Sequence, residues 1–232
     1  MKDSLIPIFI GYDYRNRAAT NVLIDSLYQN SSAPLSITPL VNAQLIQKKY
    51  YFRNRDPKQS TDFSFTRFLV PFLMDFNGWA IFMDCDMLCK SDIKHLWDLK
   101  DDKYSLMCVK HEHKPSEKFK FLGEVQTAYP KKNWSSLMLF NCAACTRLSI
   151  EYVNSASGLD LHRFNWLDDE KKIGEIHSSW NHLILDKSKP NSSIDICHWT
   201  LGGPWFKEQR EPLGILDSEW FKARDDSIEL WD

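Results

Sequence analysis

Residues 63–99 read FSFTRFLVPFLMDFNGWAIFMDCDMLCKSDIKHLWDL, and this stretch decides the expected fold. Its apolar residues first recur at helical spacing, with Pro71 expected to kink the helix or to mark its first turn. An Asn-Gly pair then breaks the chain, and residues 79–83 form the short apolar run that is typical of a buried strand. Asp84 and Asp86 follow directly past the carboxyl end of that strand.

Strand-like and helix-like patterns alternate on both sides of this stretch. Residues 6–10 form another short apolar run that ends at Gly11, and the apolar residues between Ala18 and Leu27 recur at helical spacing. This alternation predicts an α/β fold with a mixed, mostly parallel sheet flanked by helices. The other predicted elements are strands at 104–109, 137–140 and 194–197 and helices at about 146–154 and 159–167.

The chain shows no internal repeat, low-complexity segment or flexible linker. We therefore expect a single domain over residues 1–232. The net charge of −2 and the scattered basic residues do not favour nucleic acid as a partner.

The apolar runs are too short for a secretion signal or a transmembrane segment, so we expect a cytoplasmic protein. The six cysteines lie mostly inside apolar runs, which predicts buried, reduced thiols. Cys142 and Cys145 have a CxxC spacing, but without a second such pair or a nearby histidine pair a zinc site is not expected.

Two polar segments are expected at the same edge of the sheet. Ligands of open α/β sheets bind beyond the carboxyl ends of the strands, where residues 11–13 and the Asp84-Cys85-Asp86 motif both fall. Two carboxylates separated by one residue can face the same divalent cation while the side chain of Cys85 points away. Such a cation would stabilise the charge on a departing diphosphate. Strand-end aspartates are also common as turn formers and helix caps, so the motif alone does not distinguish a metal site from a structural role.

Five segments in the same order over residues 6–206 resemble family 8 and related bacterial or viral glycosyltransferases. The resemblance implies one Rossmann-like glycosyltransferase-A domain, with a nucleotide-binding half at about 1–100 and a donor-sugar and acceptor half at about 101–232. It also implies transfer of a hexosyl group, with retention, from a nucleotide diphosphate sugar to a glycan or glycolipid acceptor. UDP is favoured over GDP, and Mn²⁺ or Mg²⁺ is the expected cofactor. Besides 63–99, the segments are IFIGYD (8–13), NWSSLMLFNC (133–142), LDDEKKIGEIHSSWN (167–181) and CHWTLGGPWF (197–206).

The resemblance implies that Asp84, Asp86 and His198 bind the metal, and imidazole suits Mn²⁺ well. It places Arg67 near the diphosphate and the Asp-x-Asp carboxylates, where a planar guanidinium can bridge phosphate and carboxylate oxygens. The alternative for Arg67 is an ordinary ion pair on a helix surface.

The expected donor site also includes the first strand end and two later segments. Tyr12 would stack on the base, and Asp13 would accept hydrogen bonds from the base or ribose. Gly203 stands where the family usually has a lysine, so backbone N–H groups of the Gly202-Gly203 turn would help to neutralise the diphosphate. The expected nucleotide and donor contacts are Gly11, Tyr12, Asp13, Arg15, Arg67, Cys85, Ser135, Ser136, Gly202 and Gly203.

Asp168 and Asp169 correspond to the family's acidic segment near the donor sugar, and Asp169 is favoured as the group that steadies an oxocarbenium-like centre. An acidic run of this kind is also typical of a helix start. Residues 134–136 depart from the family's Asn-Ala/Ser-Gly sugar-contact segment, so the donor sugar is not carried over. The expected acceptor contacts are His111 and Trp134, with His113 and Gln126 as further candidates.

Two alternatives belong to other classes of protein. A haloacid-dehalogenase-like phosphatase also has Asp-x-Asp after an apolar strand, but Leu88 stands here where such enzymes have Thr or Val. A nucleotide-sugar or carbohydrate-binding protein without turnover is compatible with the missing lysine. Trp220, Phe221 and Trp231 look exposed, which leaves open a peripheral contact with a partner or with an acceptor at the inner face of a membrane.

Overall fold

The computed structural model of the protein describes residues 5–56, 59–112, 131–185, 193–206 and 214–229. Its strands form one large and one small sheet. In chain order the strands are β1 (Ile6–Gly11), β2 (Leu35–Leu40), β3 (Trp79–Met83), β4 (Met87–Cys89), β5 (Leu106–Cys108), β6 (Leu137–Asn141), β7 (Ile173–Glu175), β8 (His182–Leu183) and β9 (Ile196–His198).

The large sheet has six strands in the order β2-β1-β3-β6-β5-β7. Strand β1 pairs in parallel with β2 and β3, and β5 pairs in parallel with β7. Strand β6 is antiparallel to both of its neighbours. The carboxyl ends of β1, β3, β5 and β7 therefore share one edge with the amino end of β6, and we call it the carboxyl edge. The predicted mixed, mostly parallel sheet is confirmed.

The small sheet holds three strands in the order β4-β9-β8. Strand β4 runs antiparallel to β9, and β8 runs parallel to β9. Because β4 begins only a few residues after β3 ends, the small sheet continues from the carboxyl edge of the large one.

Helices flank these sheets, and the helix predicted from Ala18 to Leu27 is confirmed as part of α1. The long helical pattern after residue 63 resolves instead into a 3-10 turn and the four-residue α3. Pro71 lies in the first turn of α3, as expected, and positive φ angles of 51° at Asp75 and Phe76 end the helical path early. The helices are α1 (Arg17–Gln29), α2 (Asn42–Gln47), α3 (Val70–Leu73), α4 (Ile93–Trp97), α5 (Ile150–Ser155), α6 (Gly158–His162) and α7 (Ile215–Asp226).

The buried apolar residues form a large cluster around the six-stranded sheet and a smaller one beside the small sheet. The smaller cluster includes Trp220 of α7, which is 1% exposed, so the expectation of an exposed Trp220 is wrong. Trp231 lies outside the described residues. Within the described ranges, none of the helices has the length and apolar character that crossing a membrane requires.

The cysteine prediction is confirmed, because all six thiols are free and buried. Burial raises the pKa of Cys142 to about 12, and burial also raises the pKa of Cys145. Protonated thiols in these surroundings pack as small apolar side chains.

Candidate active site

The Asp84-Cys85-Asp86 motif connects the two sheets at the carboxyl edge. Strand β3 ends at Met83, and β4 begins at Met87. Asp84 is anchored to the large sheet, where its N–H donates to the carbonyl of Ser136 at 2.9 Å. Asp86 is anchored to the small sheet, where its carbonyl accepts from the N–H of Trp199 at 2.9 Å. Each aspartate is thus held by the backbone of a different sheet.

His198 is brought to Asp86 by the register of the small sheet. In the antiparallel pair of β4 and β9, His198 lies opposite Met87, the residue after Asp86. The Nε2 atom of His198 is 3.3 Å from Oδ1 of Asp86. One ligand atom from each of Asp84, Asp86 and His198 lies within 4.8 Å of the others.

This cluster has the chemistry of a cation site. The imidazole of His198 is almost fully buried, and the side chains of Asp84 and Asp86 are 14% and 20% exposed. Among the described residues, no hydrogen-bond donor reaches the buried Oδ1 atom of Asp86. A buried carboxylate oxygen needs a compensating donor or cation. Two carboxylates and one imidazole are suitable ligands for Mn²⁺ and acceptable ones for Mg²⁺.

Arg67 is part of the cluster and is not on a helix surface. Its side chain is 7% exposed, and its Nη1 atom is 2.9 Å from Oδ1 of Asp84. The same nitrogen donates to the carbonyl of Ser135 at 2.8 Å. The guanidinium carbon lies 5.2 Å and 5.1 Å from the ring centres of Phe63 and Phe82. The alternative of an ordinary surface ion pair is wrong, because this pair is buried.

Cys85 points away from the two aspartates, as the strand alternation predicts. Its side chain is fully buried. Burial raises the pKa of the thiol well above its usual value, and the charges of Asp86 and Asp84 add to that effect. The expectation that Cys85 belongs to the donor contacts therefore has no support from its side chain.

The end of β1 lies at the carboxyl edge, but its polar residues are used structurally. Gly11 packs so closely against Phe63 that an added Cβ would be 2.3 Å from the ring. Asp13 is buried, and its carboxylate accepts from the backbone and guanidinium of Arg15 and from the N–H of Asp62. Burial alone would raise the pKa of Asp13, and the hydrogen bonds from Arg15 outweigh it, so that the pKa lies below its usual value.

The contacts of Asp13 leave no exposed oxygen for a base or ribose in this conformation, contrary to the expectation for this residue. Arg15 is likewise engaged, because its Nη2 atom donates to Asp13 at 2.7 Å and to the carbonyl of Ser60 at 2.8 Å. Tyr12, between β1 and these residues, is half-buried.

The serines expected at the donor sugar face the protein interior. Ser135 Oγ is 2.8 Å from Nδ1 of His162, and Ser136 Oγ donates to the carbonyl of Asn133 at 2.6 Å. The glycine turn is also partly occupied, because the N–H of Gly202 donates to the carbonyl of Trp199 at 2.9 Å. At Gly203, an added Cβ would be 2.1 Å from the ring of Trp205, which explains why no side chain fits there.

Asp168 and Asp169 do not join the cluster. Both precede β7. Their neighbour Glu170 pairs with Lys131, whose ammonium lies 6.0 Å from the ring centre of Trp134. Asp168 is 98% exposed and is 3.4 Å from Nη1 of Arg147. Asp169 caps a 3-10 turn by accepting from the N–H of Lys171. The expectation that either carboxylate approaches the donor sugar is not supported by this placement.

His111 and Trp134 do meet near the carboxyl edge. The indole Nε1 of Trp134 donates to the carbonyl of His111 at 3.0 Å. Burial, together with the charges of His198 and His182, lowers the pKa of His111 to about 4, so its imidazole is neutral at pH 7. The other two acceptor candidates, His113 and Gln126, lie outside the described residues.

One residue of the cluster was missed at the sequence level. Asn181 is fully buried, and its Oδ1 atom is 2.8 Å from Nδ1 of His198. It lies directly before β8, in the same small sheet as His198. Its position after an apolar Trp gives no sign of this contact, because the two residues meet only when β8 and β9 pair.

A mixed sheet whose carboxyl edge carries an Asp-x-Asp motif together with a histidine from a later strand defines the class of glycosyltransferase-A folds. The sequence model described as glycosyl transferase family 8 matches residues 11–155. The chain belongs to that family and is a glycosyltransferase.

Several known proteins are similar to this chain. Protein CDI from Arabidopsis thaliana is 48% identical over 206 residues, which cover 86% of this chain and 79% of that protein. The bifunctional glycosyltransferase WbbM has a TM-score of 0.62 at 14% identity over 95% of this chain, which spans 52% of that longer protein. The galactosyltransferase LgtC, solved with donor and acceptor sugar analogues, has a TM-score of 0.59 at 9% identity, with 98% of both chains covered. The two solved structures share the fold.

Proposed function

We propose that the protein transfers a hexosyl group from a nucleotide diphosphate sugar, with UDP favoured, to a hydroxyl of a glycan or glycolipid. The proposal includes Mn²⁺ or Mg²⁺ held by Asp84, Asp86 and His198. The observation that carries it is the meeting of these three ligand atoms within 4.8 Å at the carboxyl edge. Open α/β sheets bind their ligands at this edge.

A divalent cation at this position would supply Lewis-acid stabilisation of the departing diphosphate. Arg67 holds Oδ1 of Asp84 and thereby orients one carboxylate of the set. Its guanidinium also keeps a positive charge beside the place proposed for the diphosphate. Gly203 stands where the family usually has a lysine, so this chain relies more on the charge of Arg67. A guanidinium is suited to that role because it is planar and always ionised.

The nucleotide would lie along the end of β1, where Tyr12 is the residue we assign to the base. Its ring is half-buried and follows a strand whose carboxyl end is at the shared edge. We assign the acceptor to the side formed by His111 and Trp134, whose indole ring offers an apolar face for a sugar. Retention at the anomeric carbon is part of the proposal.

The test is calorimetry of UDP and GDP binding with and without Mn²⁺, followed by donor-sugar hydrolysis. In the wild type we expect nucleotide binding that depends on Mn²⁺, tighter for UDP, and slow hydrolysis of a UDP-sugar. Asp86→Ala should weaken Mn²⁺ binding by more than about 100-fold, because losing a ligand costs more than a change in the second shell. Hydrolysis should be lost with it.

Asp92→Ala is the matched control. Asp92 is also a partly buried carboxylate, but it caps α4 by accepting from the N–H of Lys94. Its loss should cost about 1 kcal/mol of stability and leave the Mn²⁺ response intact. A normal Mn²⁺ response in Asp86→Ala would contradict the metal site.

The same experiment separates an enzyme from a binding protein. Both would bind the nucleotide with metal, but only the enzyme hydrolyses the donor. The anomeric configuration of the released or transferred sugar, read by NMR at early times, tests retention. An inverted product would overturn that part of the proposal and leave the rest standing.

A further inference from the structure

The second ring nitrogen of His198 ends a buried chain of hydrogen bonds. Nδ1 of His198 is 2.8 Å from Oδ1 of Asn181, and Nδ2 of Asn181 donates to Oγ of Ser136 at 2.8 Å. Ser136 in turn donates to the carbonyl of Asn133 at 2.6 Å. We propose that Asn181, oriented by Ser136, is a positioning residue that fixes the tautomer of His198 and presents its Nε2 lone pair to the cation. This inference rests on the proposed metal site.

The structure gives the direction of the first two hydrogen bonds. The hydroxyl of Ser136 donates to the carbonyl of Asn133, which can only accept. Ser136 must then accept from Asn181, which requires the NH₂ group of the amide on that side. The amide oxygen therefore faces His198, and Nδ1 of the imidazole carries the proton.

When Nδ1 carries the only ring proton of His198, Nε2 has a bare lone pair. That atom faces Oδ1 of Asp86 at 3.3 Å, and a carboxylate oxygen cannot donate to it. Two acceptors at this distance repel each other unless a positive charge lies between or beside them. The series of hydrogen bonds thus orients Nε2 toward a cation. Carboxylates and carbonyls that accept from the other ring nitrogen do the same for histidine ligands in metal sites.

Burial stabilises this orientation of the Asn181 amide. Asn181, Ser136 and His198 are 0%, 3% and 1% exposed, so water cannot readily replace a lost partner. With the hydroxyl of Ser136 donating to Asn133, a flipped Asn181 amide would set its oxygen against the lone pairs of the Ser136 oxygen. Unsatisfied buried polar groups are costly, so the alternative orientation is strongly disfavoured.

The chain of hydrogen bonds also links the two sheets. Asn133 and Ser136 belong to the turn before β6 of the large sheet, whereas Asn181 lies directly before β8 and His198 ends β9 of the small sheet. Asn133 has a left-handed φ of 64°, which sets the start of that turn. Ser136 occupies the position of the glycine in the family's Asn-Ala/Ser-Gly segment. A residue that departs from the family's pattern therefore supports a metal ligand in this chain.

The test uses two readouts that do not depend on catalysis. Long-range ¹H–¹⁵N correlation spectra of the metal-free protein report which nitrogen of His198 is protonated, and calorimetry gives the Mn²⁺ affinity. For the wild type we expect the Nδ1–H tautomer. Asn181→Leu should lose this single tautomer and bind Mn²⁺ about 10- to 100-fold more weakly, the usual cost of losing a second-shell partner.

Rescue by a conservative variant separates positioning from packing. Asn181→Asp keeps an oxygen facing Nδ1–H, so it should retain the tautomer and bind Mn²⁺ at least as well as the wild type. Ser136→Ala should weaken Mn²⁺ binding less than Asn181→Leu, because the amide oxygen stays but is no longer oriented. Ser26→Ala is the control, since Ser26 is a buried serine that donates to Leu23 and accepts from Cys89, away from the site. It should change neither readout.

The outcomes are distinct. Wild-type tautomer and affinity in Asn181→Leu, or in Ser136→Ala if the first variant does not fold, would overturn the inference. An Nε2–H tautomer in the wild type would do the same. If the wild type has the Nδ1–H tautomer but binds no Mn²⁺, the proposed function fails at its metal site, and the role toward the cation fails with it.

Discussion

The molecule has two acidic groups of similar composition in opposite situations. Asp84 and Asp86 are 14% and 20% exposed and contact buried Arg67 and His198. Asp168 is 98% exposed, and its partner Arg147 is itself 53% exposed. One group has carboxylate oxygens held in a fixed arrangement, and the other has carboxylates that water solvates.

The difference follows from the partners of the carboxylates. Asp84 and Asp86 come after β3, at the carboxyl edge, whereas Asp168 and Asp169 come before β7, a strand of the same direction. Asp168 contacts an exposed arginine and Asp169 caps a turn, so neither carboxylate is held by buried groups as Asp84 and Asp86 are. An acidic cluster becomes a candidate site through the buried partners that fix its carboxylates, not through its composition.

The largest expected effect comes from removing the cation of each ion pair in turn. Arg67→Met leaves the buried carboxylate of Asp84 without its guanidinium, which should lower the free energy of unfolding by about 3 to 5 kcal/mol. Arg147→Met, the matched change in the exposed pair, should cost at most about 1 kcal/mol. Urea denaturation measures both.

Adding Mn²⁺ sharpens this contrast. A cation bound beside Asp84 replaces part of the missing positive charge, so it should recover stability in Arg67→Met and leave Arg147→Met unchanged. Equal losses in the two variants would mean that burial does not distinguish the two pairs.

A smaller effect is expected at Asp13, a third carboxylate at the carboxyl edge whose partners are structural. Asn in its place cannot accept at Nδ2 from Arg15 and from the N–H of Asp62, so Asp13→Asn should cost about 1 to 3 kcal/mol at neutral pH. The pKa of Asp13 in the folded protein lies below its ordinary value of 3.8. Its contribution to stability is therefore full above that pH and is lost as the pH falls through the folded pKa.

The free energy of unfolding of the wild type and of Asp13→Asn is measured by urea denaturation between pH 7 and pH 3. The difference between the two proteins should shrink at the acidic end, because protonation removes the same charge from the wild type. A difference that stays constant with pH would show that the ionised carboxylate of Asp13 contributes nothing beyond its shape.

Local sequence patterns were sufficient for the parts of the fold that bury continuous apolar runs. Strands β1 and β3 follow from such runs, helix α1 follows from its helical spacing of apolar residues, and the position of the Asp-x-Asp motif follows from the end of β3. His198 was assigned through the family resemblance and not through any local pattern. The structure shows why it reaches Asp86, since β4 and β9 pair across a long separation in sequence.

The remaining features depend on tertiary contacts that no local pattern encodes. The strands β4, β8 and β9 are short, and their pairing is what creates the small sheet. Asn181 and Ser136 are 45 residues apart in sequence and meet only between the two sheets. The acidic run before β7 matches the family's pattern in composition, but its exposure and its contacts depend on the fold around it.

The smallest expected effect is at that acidic run. Asp168→Asn and Asp169→Asn keep the side-chain shape, and Asn at residue 169 can still cap the turn by accepting from Lys171. Surface substitutions typically change free energies by no more than about 0.5 kcal/mol. Mn²⁺ affinity and UDP-sugar hydrolysis should therefore stay within about twofold of the wild type. A large loss of hydrolysis in Asp169→Asn with unchanged thermal stability would return this carboxylate to the reaction.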